Sequence, residues 1–479
     1  VGMHRYTFPG AGDRGIVIDL MNGGCWDRPM NTYIEVVNPS TGLPDESGTA
    51  LRGYRFSRGW ASDQKIYFYA EFSEPFDDLD VITRNIQIWQ NEFKQMPTHI
   101  HAHFDGTDQV LMKVALSPVS MDGAYLNMKQ ELPGWDFDSV AQAAAEAWND
   151  ELRKIKVDTR DDEARKIFYT ALYHTMIAPS EFCDVNGSTY TTFSLWDTYR
   201  AAMPLYSIFQ TERYTDFINT MLDIHQQQGR LPVWHLHGCE TDCMVGNPGI
   251  PPVADAIVKG VAGIDYEQAF EALKATAMRP ERGQEYRMKY GYIPCDMFNE
   301  SVAYELEYAL ADGAVALADN ALGKEEEYKF FHARSQSYKK LFDPKYGFIR
   351  GKDSKGRFRK DYSPFSSKHR ADDYCEGNGW QYTWLVPHDV YGLVDCFGGM
   401  EPFHKKLDEL FTVSSVLEGD SSPDITGLIG QYAHGNEPSH HILYFYTMAG
   451  QPWKTAAKVR EVLNVLYTAK PDGLSGNED

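Results

Sequence analysis

The sequence is poor in three features, and each shortage argues against a class of protein. Its seven cysteines are odd in number and dispersed, so they form neither paired CxxC metal motifs nor a dense disulfide framework. No apolar run approaches the ~18 residues of a membrane-spanning helix. Basic residues are outnumbered, with 46 Lys and Arg against 68 Asp and Glu, and the net charge of −22 repels nucleic-acid phosphates. The sequence therefore predicts no disulfide-stapled module, no membrane span and no nucleic-acid partner.

What the sequence does contain is typical of a globular protein with several domains. Its 479 residues exceed the ~250–300 at which one hydrophobic core usually stops growing. Hydrophobic residues make up 43% of the chain, which supplies ample material for more than one core. The acidic excess suits neutral substrates or bound cations. Two or three domains are expected.

The pattern along the chain separates a β part from an α part. Over residues 1–125, short β-branched and aromatic runs alternate with Gly, Asp and Pro turns, which predicts an antiparallel β-sandwich. Residues 126–157 predict a helical linker, because much of this segment is rich in Ala, Glu, Leu and Lys. Residues 158–479 carry apolar residues at helical spacing in about ten segments. The predicted fold class is α+β multidomain, a sandwich followed by an α/α array.

A tryptophan close to a carboxylate occurs twice in the connections of the α part. Trp196 and Asp197 stand at a predicted helix start, and Trp234 precedes Glu240 in a loop. Asp197 could be an N-terminal charge that complements the helix macrodipole. The same pair also suits a sugar, whose ring stacks on the indole while its hydroxyls donate to the carboxylate. The repetition favours the sugar-binding interpretation.

Two groups of metal-binding residue types offer an alternative. Residues 235–243 hold two His and two Cys, but their spacing matches none of the usual structural zinc sites. Residues 99–103 hold three His at alternate positions, which puts three imidazoles on one face of a strand. A solvent-facing or interface strand is the favoured interpretation of this second group.

Glu376 is the one carboxylate in residues 374–384, a segment of aromatic residues and glycines. Surroundings of this kind exclude water and raise the pKa of a carboxyl group, as a general acid working near neutral pH requires. A structural Glu is the alternative interpretation. The segment therefore predicts a candidate acid catalyst.

Residues 430–441 and the chain end carry further polar candidates. Amide and carboxylate oxygens of Asn436 and Glu437 suit Ca²⁺, whereas the three His of the same run would suit zinc. Glu478 and Asp479 add two carboxylates at the chain end. The run and the chain end are thus expected to contribute to the same functional region.

Taken together, these motifs resemble those of the exo-acting, calcium-dependent α-mannosidases of glycoside hydrolase family 92. The motifs that carry the resemblance are residues 194–200, Trp234 with Glu240 and residues 244–246, and the segments 374–378, 430–441 and 473–479. The resemblance implies an N-terminal β-sandwich followed by an (α/α)6 toroid, and removal of terminal α-linked mannose from glycans with inversion. By that resemblance Glu376 is the general acid and Asp479 the general base, with Glu478 as the alternative base.

The resemblance implies the cofactor, the location and a contact of Asp197 with the nonreducing mannose, and the motifs themselves supply the other expected residues. Ca²⁺ is the implied cofactor, with Asn436 and Glu437 as its expected ligands, and the implied location is periplasmic or extracellular. The substrate is a mannose-containing glycan. Its expected contacts are Trp196, Asp197, Trp234, Glu240, Asn378 and His434.

Three departures from the family pattern modify these expectations. Family members carry further sequence on both sides, so this chain is expected to be an internal segment with an incomplete sandwich, and it opens with no secretory signal. Residues 247–250 lack a His that the family often has there. The α-1,2-selective enzymes tend to have a His-Glu pair that residues 422–429 lack, so a linkage other than α-1,2 is expected.

Two other functions share part of these features. A metal-independent toroid hydrolase of α-glucosides would have the same helices and paired carboxylates, and chelation would leave its activity intact. A noncatalytic glycan-binding protein would have the Trp and Asp positions without an acid and a base. Binding without turnover would identify it.

Overall fold

The computed structural model describes residues 1–10, 12–24 and 26–476, and these form two compact units. The first, called the sheet unit, comprises Val1–Lys156, Ile177–Thr192 and His235–Thr241. The second, called the helical unit, comprises Val157–Met176, Phe193–Trp234 and the chain from Asp242 onwards. Each unit is described by itself below.

Two antiparallel sheets form most of the sheet unit, and in strand β7 buried residues alternate with less buried ones from Met96 to His103. Strands β1, β8, β5, β4 and β3 pair in that order, and β2, β7 and β6 form the other sheet. The strands are β1 (Gly2–Thr7), β2 (Gly15–Asp19), β3 (Arg28–Val37), β4 (Ala50–Arg58), β5 (Gln64–Phe72), β6 (Asp78–Trp89), β7 (Glu92–His103) and β8 (Gln109–Ser117).

A shared apolar core joins the two sheets face to face. Ile16 and Ile100 of the smaller sheet pack with Leu51, Phe68 and Met112 of the larger one. Burial of such side chains stabilises a fold by roughly 1.5–3 kcal/mol each. The predicted antiparallel sandwich is confirmed for this part of the chain.

Two helices follow the sandwich within the sheet unit, α1 (Met121–Glu131) and α2 (Phe137–Leu152). Helix α1 begins where the Ser120 hydroxyl accepts a hydrogen bond from the backbone N–H of Gly123, an N-cap that satisfies one otherwise unpaired donor. Its residues Ala124 and Met128 pack on Tyr69 and Ala115 of the larger sheet. The segment predicted as a helical linker thus consists largely of helix.

The rest of the described chain is dominated by helices, as predicted. Short strands interrupt them: β9 (Ser180–Glu181), β10 (Tyr190–Thr191), β11 (Phe193–Ser194), β12 (Trp234–Leu236), β13 (Cys239–Glu240), β14 (Phe342–Asp343), β15 (Phe348–Ile349), β16 (Leu428–Ile429) and β17 (Tyr432–Ala433). The helices are α3 (Asp162–His174), α4 (Leu195–Thr198), α5 (Ala202–Phe209), α6 (Thr211–Gln228), α7 (Ile250–Lys259), α8 (Tyr266–Met278), α9 (Gln284–Tyr290), α10 (Ser301–Ala321), α11 (Glu325–Ser335), α12 (Gly379–Tyr382), α13 (Val390–Phe397), α14 (Met400–Leu410), α15 (Phe445–Met448) and α16 (Pro452–Leu466).

Helix α10 is largely buried, with 15 of its 21 residues enclosed by the protein. It packs against α7, α8 and α11, and its first turn meets the loop before Glu376, where Val302 and Ala303 donate their N–H groups to the carbonyl of Asp373. None of the helices that the structure describes is long and apolar enough to cross a membrane. Helix α10 therefore connects the core of the unit to the segment that carries the candidate acid.

One predicted helix is interrupted. The apolar spacing over residues 196–209 predicts a single helix, but the structure has α4 and α5 with a break between them. Pro204 lies in the first turn of α5. In a continuous helix its ring would clash with the carbonyl four residues earlier, that of Arg200. The break gives the Trp196–Arg200 segment a turn of its own.

Candidate active site

Glu376 adopts a backbone conformation that is costly for a residue with a side chain. Its φ of 48° lies in the left-handed region, which costs an ordinary L-residue roughly 1–2 kcal/mol. Such strain persists only where surrounding contacts impose it, and it is concentrated at functional sites. The conformation marks Glu376 as a residue that the fold holds in place.

The surroundings of Glu376 keep its carboxyl group protonated at neutral pH. Burial raises its pKa to about 8, and the charges of Asp424 and Glu437 act in the same direction. A hydrogen bond from Asn436 opposes the shift but does not cancel it. A carboxyl group in this state has the protonation that a general acid needs.

Asn436 contacts Glu376 and also presents an unused oxygen. Its Nδ2 donates to the Glu376 carbonyl at 2.7 Å and lies 3.5 Å from Oε2 of the carboxyl group. Its Oδ1 is buried and accepts no hydrogen bond from the part of the chain that the structure describes. A buried oxygen without a donor is costly unless water or a cation binds it. Together with the nearby Glu437 carboxylate, this donor set suits a hard, oxygen-preferring cation.

The histidines of the same run make hydrogen bonds within the protein. Both ring nitrogens of His434 contact tyrosine hydroxyls, Tyr432 at 2.8 Å and Tyr467 at 2.7 Å. His440 and His441 bond through Nε2 to the backbone carbonyls of His434 and Trp384. Across residues 1–10, 12–24 and 26–476, no three His, Cys, Asp or Glu side chains gather as a metal site. These imidazoles therefore act as structural hydrogen-bonding groups here.

Asp424 is a site residue that sequence reasoning missed. Its charge raises the pKa of Glu376 more than that of Glu437 does. Ser422 donates its hydroxyl to the Asp424 carboxylate, and His369 contacts the same hydroxyl at 3.2 Å. The comparison with the family pattern uses residues 422–429 only for the His-Glu pair that they lack. The Asp424 carboxylate is the feature of that segment that could have indicated a site residue.

Asn378, predicted to contact substrate, is fully buried and caps helix α12. Its side-chain oxygen accepts from the Trp380 N–H at 2.9 Å, and its Nδ2 donates to Oε1 of Gln431 at 2.9 Å. Gln381 completes a capping box and donates to the Gln431 carbonyl. These bonds connect the segment that carries Glu376 with the run that carries Asn436. The Asn378 side chain is thus occupied in holding the two segments together.

The Trp-Asp turn is held by a buried ion pair. Trp196 is 0% exposed, and the Arg200 guanidinium lies over its ring at 4.9 Å. Arg200 pairs with Glu307 of α10 at 2.6 Å, and the Tyr199 hydroxyl donates to the same carboxylate at 3.0 Å. The Asp197 carboxylate accepts from the Ser194 hydroxyl. Of Trp196 and Asp197, Asp197 is partly exposed, whereas Trp196 is enclosed by the protein.

The structure assigns the second predicted pair to different units. Trp234 belongs to the helical unit and is nearly fully buried. Glu240 belongs to the sheet unit, on strand β13, directly opposite His235 of β12.

The predicted base residues, Glu478 and Asp479, lie outside the described residues. The last described residues run beside the loop that carries Asn436. A side chain on Gly435 would meet the Cα of Gly476 at 3.1 Å, and one on Gly427 would meet the Ser475 hydroxyl at 2.8 Å. Glycine at both positions permits this close approach.

Family models match both parts of the chain. The model described as the glycosyl hydrolase family 92 N-terminal domain matches residues 1–117, and the one described as the family's catalytic domain matches residues 123–479. A curated relative is an uncharacterized secreted glycosidase of Arthroderma benhamiae, 28% identical over 419 residues, which are 79% of this chain and 50% of the relative.

Solved structures of the same family match almost the whole chain. A family GH92 α-mannosidase from Bacteroides thetaiotaomicron in complex with mannoimidazole is 36% identical with a TM-score of 0.89, over 99% of this chain and 65% of that one. A family GH92 inverting mannosidase from Bacteroides thetaiotaomicron is 27% identical with a TM-score of 0.84, over 100% of this chain and 67% of that one. The chain spans about half the length of its curated relative and about two thirds of these structures.

Proposed function

Because the chain belongs to glycosyl hydrolase family 92, we propose that the protein is an exo-acting α-mannosidase that removes terminal α-linked mannose from glycans. The observation that supports this most strongly is Glu376, strained, half-buried and with a pKa of about 8. A structural glutamate has no need of a raised pKa, whereas proton donation to a glycosidic oxygen depends on it. Similarity to solved α-mannosidases supports the choice of mannose.

The proposed reaction is a single displacement with inversion. Glu376 delivers its proton to the leaving glycosidic oxygen while a second carboxylate deprotonates the attacking water on the opposite face of the sugar. Asp479 is the proposed base and Glu478 its alternative. The carboxyl groups of an inverting pair are about 6.5–9.5 Å apart, which leaves room for the water. Asp197 is proposed to hold the hydroxyls of the nonreducing mannose.

Calcium is proposed as the cofactor, with Asn436 and Glu437 among its ligands. The buried Oδ1 of Asn436, which no described donor reaches, supports this assignment. When bound, Ca²⁺ would ligate sugar hydroxyls and favour the flattened ring of the transition state. Mannose hydroxyls would complete the six to eight oxygen ligands that Ca²⁺ usually takes.

Linkage preference and location are proposed more broadly. Residues 422–429 carry Asp424 instead of a His-Glu pair, so we expect the α-1,2 linkage to be a poor substrate. A periplasmic or extracellular location is supported by the curated relative, which is named as a secreted glycosidase.

Release of reducing sugar from α-mannobiose isomers, with and without EGTA, tests the proposal. We expect release of mannose from isomers other than α-1,2, loss of activity with EGTA, and recovery with added Ca²⁺. Full activity in EGTA would remove calcium from the mechanism. Rescue by zinc and not by calcium would transfer the metal role to the histidines.

Two control experiments distinguish the competing functions. Hydrolysis of α-glucobiose isomers that survives EGTA would favour a metal-independent α-glucosidase. Calorimetric binding of mannobiose without any turnover would favour a noncatalytic glycan-binding protein. Either result would overturn the proposed α-mannosidase.

A further inference from the structure

The general-acid assignment raises the question of what holds Glu376 in a left-handed conformation. A residue has two soft backbone dihedrals, and these are fixed when the peptide planes on its two sides are fixed. The plane before Glu376 carries the Cys375 carbonyl, and the plane after it carries the Glu376 carbonyl. Whatever bonds those two oxygens therefore sets the direction of the Glu376 side chain.

Each of these carbonyls accepts one side-chain hydrogen bond. The Tyr382 hydroxyl donates to the Cys375 carbonyl. Nδ2 of Asn436 donates to the Glu376 carbonyl at 2.7 Å. Since Asn436 is also a proposed calcium ligand, Tyr382 is the member of this pair that can be changed without touching the metal site.

Tyr382 makes three further contacts with the loop that carries Glu376. It is the last residue of α12, and its N–H bonds to the Asn378 carbonyl at 3.0 Å, so the helical turn returns the ring towards the start of the loop. A side chain on Gly377 would meet the Tyr382 ring at 2.6 Å, which shows that the ring packs directly on the backbone after Glu376. Its ring centroid also lies 5.4 Å from that of Tyr374.

We propose that Tyr382 is a positioning residue for the general acid, because its hydroxyl and its ring hold the backbone on both sides of Glu376. Tyr382 is 0% exposed, so it acts through Glu376 and not by contact with substrate. Without its hydroxyl, Glu376 can relax towards the right-handed region that side chains prefer, and its carboxyl group leaves the glycosidic oxygen. The inference rests on the proposed function.

The Tyr382→Phe variant tests the proposal, because it removes the hydroxyl and keeps the ring. Two substrates are compared: α-mannobiose, whose sugar leaving group needs a proton, and dinitrophenyl α-mannoside, whose leaving group departs without one. General acid catalysis typically contributes about 10²–10⁴-fold, so partial misplacement is expected to lower kcat on mannobiose about 10–100-fold. The expected change on the dinitrophenyl substrate is less than about 2-fold, with KM similar for both.

Tyr214→Phe is the matched control. Tyr214 is equally buried in the helical unit, and its hydroxyl also donates to a backbone carbonyl, that of Pro252 at 3.0 Å. This variant loses the same kind of hydrogen bond far along the chain from Glu376. It is expected to have the wild-type ratio of activities on the two substrates.

Gly377→Ala is a second, independent variant, because the added methyl group must displace the Tyr382 ring. It is expected to give the same selective loss on mannobiose, and a crystal structure of Tyr382→Phe is expected to show Glu376 away from its φ of 48°. An unchanged activity ratio in both variants, an equal loss on both substrates, or an unmoved Glu376 would overturn the inference. A wild-type protein without activity on either substrate would instead overturn the proposed function, and the inference with it.

Discussion

Two glutamates of the helical unit, Glu307 on helix α10 and the half-buried Glu376, have opposite electrostatic surroundings. Glu307 meets Arg200 at 2.6 Å and Tyr199 at 3.0 Å, so its charge is compensated within the fold. Glu376 has the charges of Asp424 and Glu437 nearby, and burial raises its pKa to about 8. Aromatic residues lie close to both glutamates in the sequence. The difference teaches that charge compensation, and not composition, separates a structural carboxylate from the proposed acid.

The backbone conformations of Glu307 and Glu376 also differ. Glu307 lies within α10, whereas Glu376 is held at a φ of 48° by bonds to the carbonyls on either side. A regular helix fixes a side chain at no cost in strain. A strained conformation persists only where surrounding contacts impose it, and such contacts also fix the direction of the side chain.

The largest expected effect is on catalysis, through Glu376→Gln. The amide has the shape of the protonated acid but cannot give up a proton, so kcat on α-mannobiose should fall by about 10²–10⁴-fold. Activity on dinitrophenyl α-mannoside should be largely retained. Steady-state kinetics on both substrates measure this. Equal losses on the two substrates would contradict a general-acid role for Glu376.

The next effect is on stability, through Glu307→Gln. The substitution leaves the buried Arg200 charge without its partner, and breaking such a pair typically costs about 3–5 kcal/mol. Urea unfolding at neutral pH should show this loss. Glu376→Gln is the comparison, because the wild-type carboxyl group must take up a proton on folding at neutral pH and the amide need not, so this variant should be at least as stable as the wild type. Similar stabilities for the two variants would break the distinction drawn between these glutamates.

A smaller effect is expected from Asp197→Ala, on substrate affinity in the transition state. Sugar hydroxyls that lose the carboxylate stay unpaired in a site that excludes water, at a cost of about 1–3 kcal/mol each. The value of kcat/KM should fall for every α-mannoside tested, whatever its leaving group. Near-wild-type efficiency would remove Asp197 from the substrate site. A loss confined to poor leaving groups would assign it to acid catalysis instead.

The smallest effect tests a third kind of carboxylate, Asp319 in α10. Both of its oxygens are buried and accept no hydrogen bond from the described residues, and burial raises its pKa to about 6. The folded protein then holds a proton that the unfolded chain has lost, so stability falls as pH rises from about 3.8 to about 6.

Asp319→Asn should therefore be more stable than wild type above pH 6, and this advantage should shrink or reverse as the pH falls to about 4. The gain is expected to be about 1 kcal/mol, because the new amide also lacks partners and offsets part of the ~1.4 kcal/mol per pKa unit. Thermal unfolding at several pH values measures it. A constant difference at all pH values would mean that Asp319 does not titrate with folding.

Local features of the sequence were sufficient for the fold class and for several candidates. Short β-branched and aromatic runs between Gly, Asp and Pro turns predicted the sandwich in the first 125 positions, because strand-forming runs and turns are local features of the sequence. Glu376 was recognisable because its aromatic and glycine neighbours in sequence also surround it in the structure. Asn436 was recognisable as an oxygen donor close to Glu437. The roles assigned to Glu376, Asn436, Glu478 and Asp479 stay predictions.

Only the tertiary structure decided which groups meet. It brought Asp424 close enough to raise the pKa of Glu376, enclosed Trp196 beneath Arg200, and used Asn378 and His434 as hydrogen-bonding partners within the protein. It also set the left-handed conformation of Glu376 through Tyr382 and Asn436. Sequence periodicity reports burial along one element. Charge compensation and backbone strain depend on contacts between residues far apart in the chain, which only packing determines.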